Sequence, residues 1–135
     1  MAYWLFKTEP GDWSWDDQVK AGAKGSAWTG VRNPVARNNL KTMKKGDRAF
    51  FYHTGEEKQV VGIVEVMGEA RPESGDPAWL SVEVRALAPL HQPVTLAAVK
   101  AEPKLAGMSL ARLPRLSVQP VTETEWKLVT KMGGL

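Results

Sequence analysis

Six of the eleven aromatic residues in this 135-residue chain are tryptophan, at positions 4, 13, 15, 28, 79 and 126, and they carry much of its chemical potential. An indole buries a large flat surface and needs a partner for its N–H, so it serves as a core anchor or as a stacking wall for a planar ligand. Trp28 is the best wall candidate, because it opens the segment Trp28-Thr29-Gly30-Val31-Arg32-Asn33 just ahead of a helix start. Its alternative role is to plug one end of a barrel. Trp15 is a weaker candidate, and Trp4, flanked by apolar neighbours, reads as core.

Polar residues near these indoles could read a base edge. Lys7 and Glu9 leave the first apolar run together; a carboxylate there can accept an amino group of a planar ligand, or pair with the lysine. Arg32 and Asn33 stand where a helix begins, a place whose free amides attract anions; the alternative role of Asn33 is to cap that helix. Tyr52 and His53 follow two phenylalanines at a strand end, so one of each successive pair should face inward. Ser117 and Gln119 alternate with Leu116 and Val118, which offers them either to a base edge or to solvent. Residues 32–48 hold six basic side chains against Asp47 alone, whereas 54–86 hold seven acids against three bases. The near-neutral total of +3 thus hides a polarised chain. Arg37, Lys41 and Lys44 form a row that can track phosphates, with Arg115 a further cation, or simply a solvated helix face.

Several chemistries are excluded. The chain has no cysteine, so thiolate zinc sites, iron–sulfur clusters and a thiol nucleophile are ruled out. Neither a dinucleotide fingerprint nor a P-loop occurs, and two histidines are too few for a histidine-rich metal cluster. No cofactor or metal is expected, and the enzymatic alternative is a hydrolase of modified nucleotides that uses Glu9 or His53, which could work as an acid/base pair if the fold brings them together. No run approaches the length of a membrane span, and the N-terminal apolar run meets Lys7 too soon for a signal peptide. These features predict a soluble, cytoplasmic protein (nuclear if eukaryotic, nucleoid-associated if bacterial), and a monomer is the expectation.

The elements that must position these groups are legible in outline. Tyr3–Phe6 reads as a strand closed by Glu9-Pro10-Gly11. Ser14 and Asp17 form a capping box for a short helix that ends near Gly22. Trp28–Asn33 reads as loop, and Asn33-Pro34 starts a helix to about Lys44 with Ala36, Leu40 and Met43 facing the core. Strands follow at 49–53, 60–67 and 79–85, with Gly62 marking a bulge. Thr95 caps a helix to Ala101, 116–119 is a last strand ended by Pro120, and Thr122 with Glu125 boxes the final helix. The pattern predicts one α+β domain over 1–135, a mixed β-barrel of five or six strands with short helices between them.

Four segments, in order, resemble one family: Trp4-Leu5-Phe6-Lys7-Thr8-Glu9-Pro10, Trp28-Thr29-Gly30-Val31-Arg32-Asn33, Phe50-Phe51-Tyr52-His53-Thr54 and Arg115-Leu116-Ser117-Val118-Gln119-Pro120-Val121. Together, with Glu125-Trp126 behind them, they are similar to the EVE domain. The resemblance implies a PUA-like barrel related to the YTH readers of methylated adenine in RNA. It also implies a non-enzymatic module that binds a modified base, notably 5-methylcytosine or 5-hydroxymethylcytosine in DNA, with RNA as the alternative partner. One departure stands out. Longer family members carry an extended loop with an aromatic before Asp-Pro, whereas Glu73-Ser74-Gly75-Asp76-Pro77 is short and has none.

Overall fold

The computed structural model describes residues 1–73 and 76–135; Ser74 and Gly75, in the shortened loop, lie outside the described residues. Seven strands form one mixed sheet in the order β2-β6-β4-β3-β1-β7, with β5 paired to β6. They are β1 (Tyr3–Thr8), β2 (Ser26–Trp28), β3 (Arg48–His53), β4 (Gln59–Val66), β5 (Arg71–Glu73), β6 (Asp76–Thr95) and β7 (Val118–Val121). Only β1 and β3 run parallel; the other pairs are antiparallel. The sheet curls into a half-barrel. Two three-residue strands, β2 and β5, too short to leave a periodic signal, bring the count above the five or six expected.

Local chemistry starts the helices. Ser14 and Asp17 exchange bonds in a capping box that opens α1 (Trp15–Lys20), and Thr122 with Glu125 does the same for α5 (Glu123–Met132). Asn33 accepts from the amides of Val35 and Ala36 at the start of α2 (Pro34–Thr42). Thr95 accepts from Ala98 ahead of α3 (Leu96–Ala101), and a short α4 (Ser109–Arg112) precedes β7.

Both faces of the sheet are covered, and each has its own core. On one, Trp4, Phe6, Ala49 and Phe51 meet Val64, Val82 and Val84 under α2, whose Ala36, Leu40 and Met43 are buried as the helical spacing requires. On the other, Leu5, Phe50, Val60 and Val94 meet Val99, Leu110, Trp126 and Val129 of α3, α4 and α5. Alternation alone would keep Val60 and Val64 of β4 on one face. The ladders of β4 slip beside Gly62, and that irregularity sends them to opposite cores. Gly62 is needed for a second reason: a Cβ there would lie 2.5 Å from the Trp15 ring.

Several boundaries differ from expectation, including that of β6, which runs over Asp76–Thr95 where the pattern predicts a strand at 79–85. Trp28 ends the edge strand β2 instead of lying in a loop, because Ser26–Trp28 pair with Val82–Val84 of β6. The last strand is shifted to Val118–Val121 and contains Pro120. Since β7 bonds only to β1, at the margin of the sheet, a residue without an N–H is tolerated there. Helix α2 stops at Thr42, one turn before the chain reverses at Gly46 (φ 92°).

Candidate functional site

The end of β1, the turn after it and the end of β2 enclose a cleft of about 550 Å³, within the usual range for small-molecule sites. Its lining joins three of the expected residues, Lys7, Glu9 and Trp28, to Thr8, Asp12, Trp13, Ser26, Ala27, Thr29 and Gly30. Trp28 packs in the core, as its alternative role requires, and also borders the cleft. Only 7% of it is exposed, because its ring packs 4.9 Å from Phe6 and edge-on, 5.5 Å, from Phe51. The remaining surface is part of the cleft wall. Packing against the two rings fixes the indole in place.

Trp13 is the residue that sequence reasoning missed. It directly precedes the cap Ser14, and its indole N–H donates 2.9 Å to the amide oxygen of Gln18, four residues into the helix numbering. This is a polar counterpart of the hydrophobic staple that clamps the entry to a helix. Gln18 is fully buried; the same oxygen accepts from the Ser26 hydroxyl, and its amide N–H donates 3.2 Å to the Val84 carbonyl. One side chain therefore ties the Trp13 turn, β2 and β6 together around the cleft. The local half of this arrangement, Trp13-Ser14 with Asp17-Gln18, was visible in the sequence; the Val84 partner was not.

The remaining expected residues lie apart from this lining or are engaged elsewhere. Lys7 does not pair with Glu9: its ammonium donates 2.9 Å to the Pro114 carbonyl and lies 5.7 Å from the centre of the Tyr52 ring. Burial pushes its pKa below the usual lysine value. Tyr52, whose phenol burial pushes upward, faces a second cleft of about 320 Å³ that Lys7 also lines. His53 accepts from the Trp15 amide at Nε2, so Nδ1, 2.9 Å from Glu57, carries the proton of the neutral ring. That hydrogen bond from His53 holds the Glu57 carboxyl below its ordinary value. With both ring nitrogens engaged, His53 forms no pair with Glu9, whose carboxylate instead accepts from the Thr54 hydroxyl.

Arg32 grips Glu73 through two contacts of 2.8 and 3.1 Å, and its guanidinium lies 5.1 Å from the Trp79 ring. Glu73 also accepts from the Gly30 amide at the cleft rim; the Arg32 bonds hold its carboxyl below the usual range. The Asn33 oxygen is spent on its two helix amides. Asn33 and Arg115 line a separate groove with Val35, Leu113, Pro114 and Leu116. Gln119 corrects the expected polar strand face: it is fully buried, and its amide donates to the Leu113 and Leu116 carbonyls to fold the turn before β7. Ser117 is half-buried ahead of that strand. In the basic row, Arg37 turns to the Ala78 carbonyl and the Trp79 ring, while Lys41 and Lys44 are exposed.

Among the described residues, no group of three or more His, Asp or Glu could hold a metal ion, and no helix is long and apolar enough to cross a membrane.

Comparison with known proteins places this architecture. The model of the EVE domain matches residues 2–132. The chain belongs to the EVE domain family. The PUA-like fold implied by its four segments is the one observed. This EVE domain superposes on protein Atu2648 from Agrobacterium tumefaciens with a TM-score of 0.97 at 53% identity, covering 100% of this chain and 94% of that one. It superposes on the human THYN1 protein, solved in complex with 5-methylcytosine containing DNA, with a TM-score of 0.92 at 28% identity over 100% and 99% of the two chains. Thymocyte nuclear protein 1 of mouse is 32% identical over 96% of this EVE domain and 73% of its own length.

Proposed function

We propose that this EVE domain is a non-enzymatic reader of a modified base in nucleic acid, and that the base is 5-methylcytosine or 5-hydroxymethylcytosine in DNA, flipped into the Trp28 cleft. The observation that carries the reading is the cleft: a fixed indole, a second indole at its mouth and the Glu9 carboxylate, in a chain that shares its fold throughout with a protein solved on methylated DNA. The chemistry is suited to cytosine. Trp28 and Trp13 supply flat surfaces, and Glu9 an acceptor for the exocyclic amino group. Arg37, Lys41, Lys44 and Arg115 supply charge for the backbone.

Magnitudes divide the labour. Stacking on an aromatic is worth about 1 to 3 kcal/mol and extruding a base costs a few, so the pocket alone comes near balance and backbone contacts must add affinity. One buried methyl adds only about 0.8 kcal/mol, roughly fourfold, so sharper selectivity comes from exclusion of the wrong base.

The test titrates duplexes carrying one methylated, hydroxymethylated or plain cytosine, with the methylated RNA as competitor. The expected result is preference for modified DNA that Trp13→Ala lowers by about 5- to 150-fold, the stacking range expressed as affinity. Equal weak binding to all duplexes, unchanged by Trp13→Ala, would reject the reading; stronger competition by RNA would move the substrate class to RNA.

A further inference from the structure

We propose that the second cleft, where Lys7, Lys58 and Lys100 converge beside Tyr52, is a phosphate site that takes a backbone phosphate of the strand whose base enters the Trp28 cleft. The identity of that strand rests on the function proposed above; the phosphate chemistry rests on the cleft itself.

The two clefts share one residue and differ in character. Lys7 lines both. In the Trp28 cleft it is set against the carboxylates of Glu9 and Asp12 and two indoles, a lining suited to a base edge and face. In the second cleft it joins Lys58 and Lys100, with the neutral groups Tyr52, Thr54 and Pro114 between them. Three ammonium groups around about 320 Å³ suit an oxyanion, not a planar heterocycle. One carboxylate borders this cleft: Glu9 accepts from the Thr54 hydroxyl, 3.3 Å away, and lies against Gly55.

The construction favours a ligand with negative charge. Lys7 is half-buried with one carbonyl, that of Pro114, as its hydrogen-bond acceptor, so two of its three N–H donors can serve an anion. Its burial disfavours the ammonium form, and an anion beside it would restore that form. Lys58 sits at φ 45°, a left-handed conformation that a lysine adopts at a cost, and it does so at the wall of this cleft. Lys100 is exposed on α3 and lines the same cleft. A nucleotide has its base and phosphate joined through one sugar, and two clefts joined through one lysine side chain match that connection.

The phosphate oxyanion could come from the nucleic-acid backbone or from free phosphate, and two measurements separate them. Titrating the wild-type protein with inorganic phosphate, followed by amide NMR, needs no substitution. Signals of Thr54, Gly55, Lys58 and Lys100 should shift while Ser26 to Gly30 stay still; no shift there, or equal shifts at Lys41 and Lys44, overturns the site. Binding of methylated and plain duplexes is then measured at two salt concentrations for wild type and the folded double variant Lys58→Gln, Lys100→Gln. Loss of one phosphate contact should make the log–log salt slope shallower by about 0.9, which is about 3.5-fold across a fourfold rise in salt. The ratio of methylated to plain binding should be kept. An unchanged slope with the ratio intact overturns the backbone assignment and leaves the base reading standing: the ligand is then free phosphate if inorganic phosphate shifts the signals, and the phosphate site itself fails if it does not. A shallower slope in a protein that shows no preference for the methylated duplex supports the phosphate site and removes the base reading.

Discussion

Trp28 and Trp126 make almost the same contacts and face opposite situations. Each is 7% exposed, and each lies against two aromatic rings: Phe6 and Phe51 for Trp28, Tyr3 at 4.5 Å and Phe50 at 4.0 Å for Trp126. They sit in the two cores on opposite faces of one sheet. Trp126 is carried by a ten-residue helix with a complete capping box, so its face of the sheet is closed by the element that bears it. Trp28 is carried by a three-residue edge strand, and beyond it the next elements are a turn and a half-buried Trp13. Burial therefore does not separate Trp126 from the indole we propose as a stacking wall. What distinguishes them is whether the supporting element also covers the ring.

The largest effect should come from the closed side. Trp126→Ala removes an indole stacked on both faces and should cost about 3 to 5 kcal/mol of stability by urea unfolding, while the folded fraction keeps its preference for modified DNA. A loss of preference without loss of stability would erase the contrast between the two cores.

Next comes Gln18, the buried side chain that links the Trp13 turn to β2 and β6. Gln18→Ala strands the Trp13 N–H and the Val84 carbonyl, a cost of about 1 to 3 kcal/mol. Binding of modified duplex should weaken as well, although Gln18 is a positioning residue outside the cleft lining. Trp13→Phe, which keeps a ring but has no N–H to hold, should retain more binding than Trp13→Ala. Equal binding by the Gln18 variant and wild type would show that the wall needs no such support.

The smallest effect concerns the link between Glu73 and Arg32 at the cleft rim. Glu73 has a depressed pKa when folded, so its stabilising contribution is fully present above the usual carboxylate range. It is lost as pH falls through the folded value. With Arg32 half exposed the pair is worth within about 1 kcal/mol. Wild type should lose that increment on acidification and Glu73→Gln should not, as read by urea midpoints on both sides of the range.

Much of the fold was legible because its signals are local. The boxes Ser14/Asp17 and Thr122/Glu125, the cap-and-proline pair Asn33-Pro34, and the spacing of Ala36, Leu40 and Met43 each lie within one or two turns of helix. What stayed hidden depends on distant partners. Pro120 reads as a strand end unless it is known that β7 lies at the sheet margin. Gln119 alternates like a surface residue, yet its turn folds over it. In the site, Lys7, Glu9 and Trp28 could be brought together on paper because they flank turns. Tyr52 fell to the neighbouring cleft, and Trp13 gained its role only through Gln18 and a carbonyl 66 residues further along.

The most direct test of a cleft that holds a base is the indole N–H spectrum of the protein titrated with a duplex carrying a single 5-methylcytosine. The signals of Trp13 and Trp28 should move, that of Trp126 should remain in place, and the unmodified duplex should produce the smaller change. Stationary signals from Trp13 and Trp28 at saturation would contradict the account.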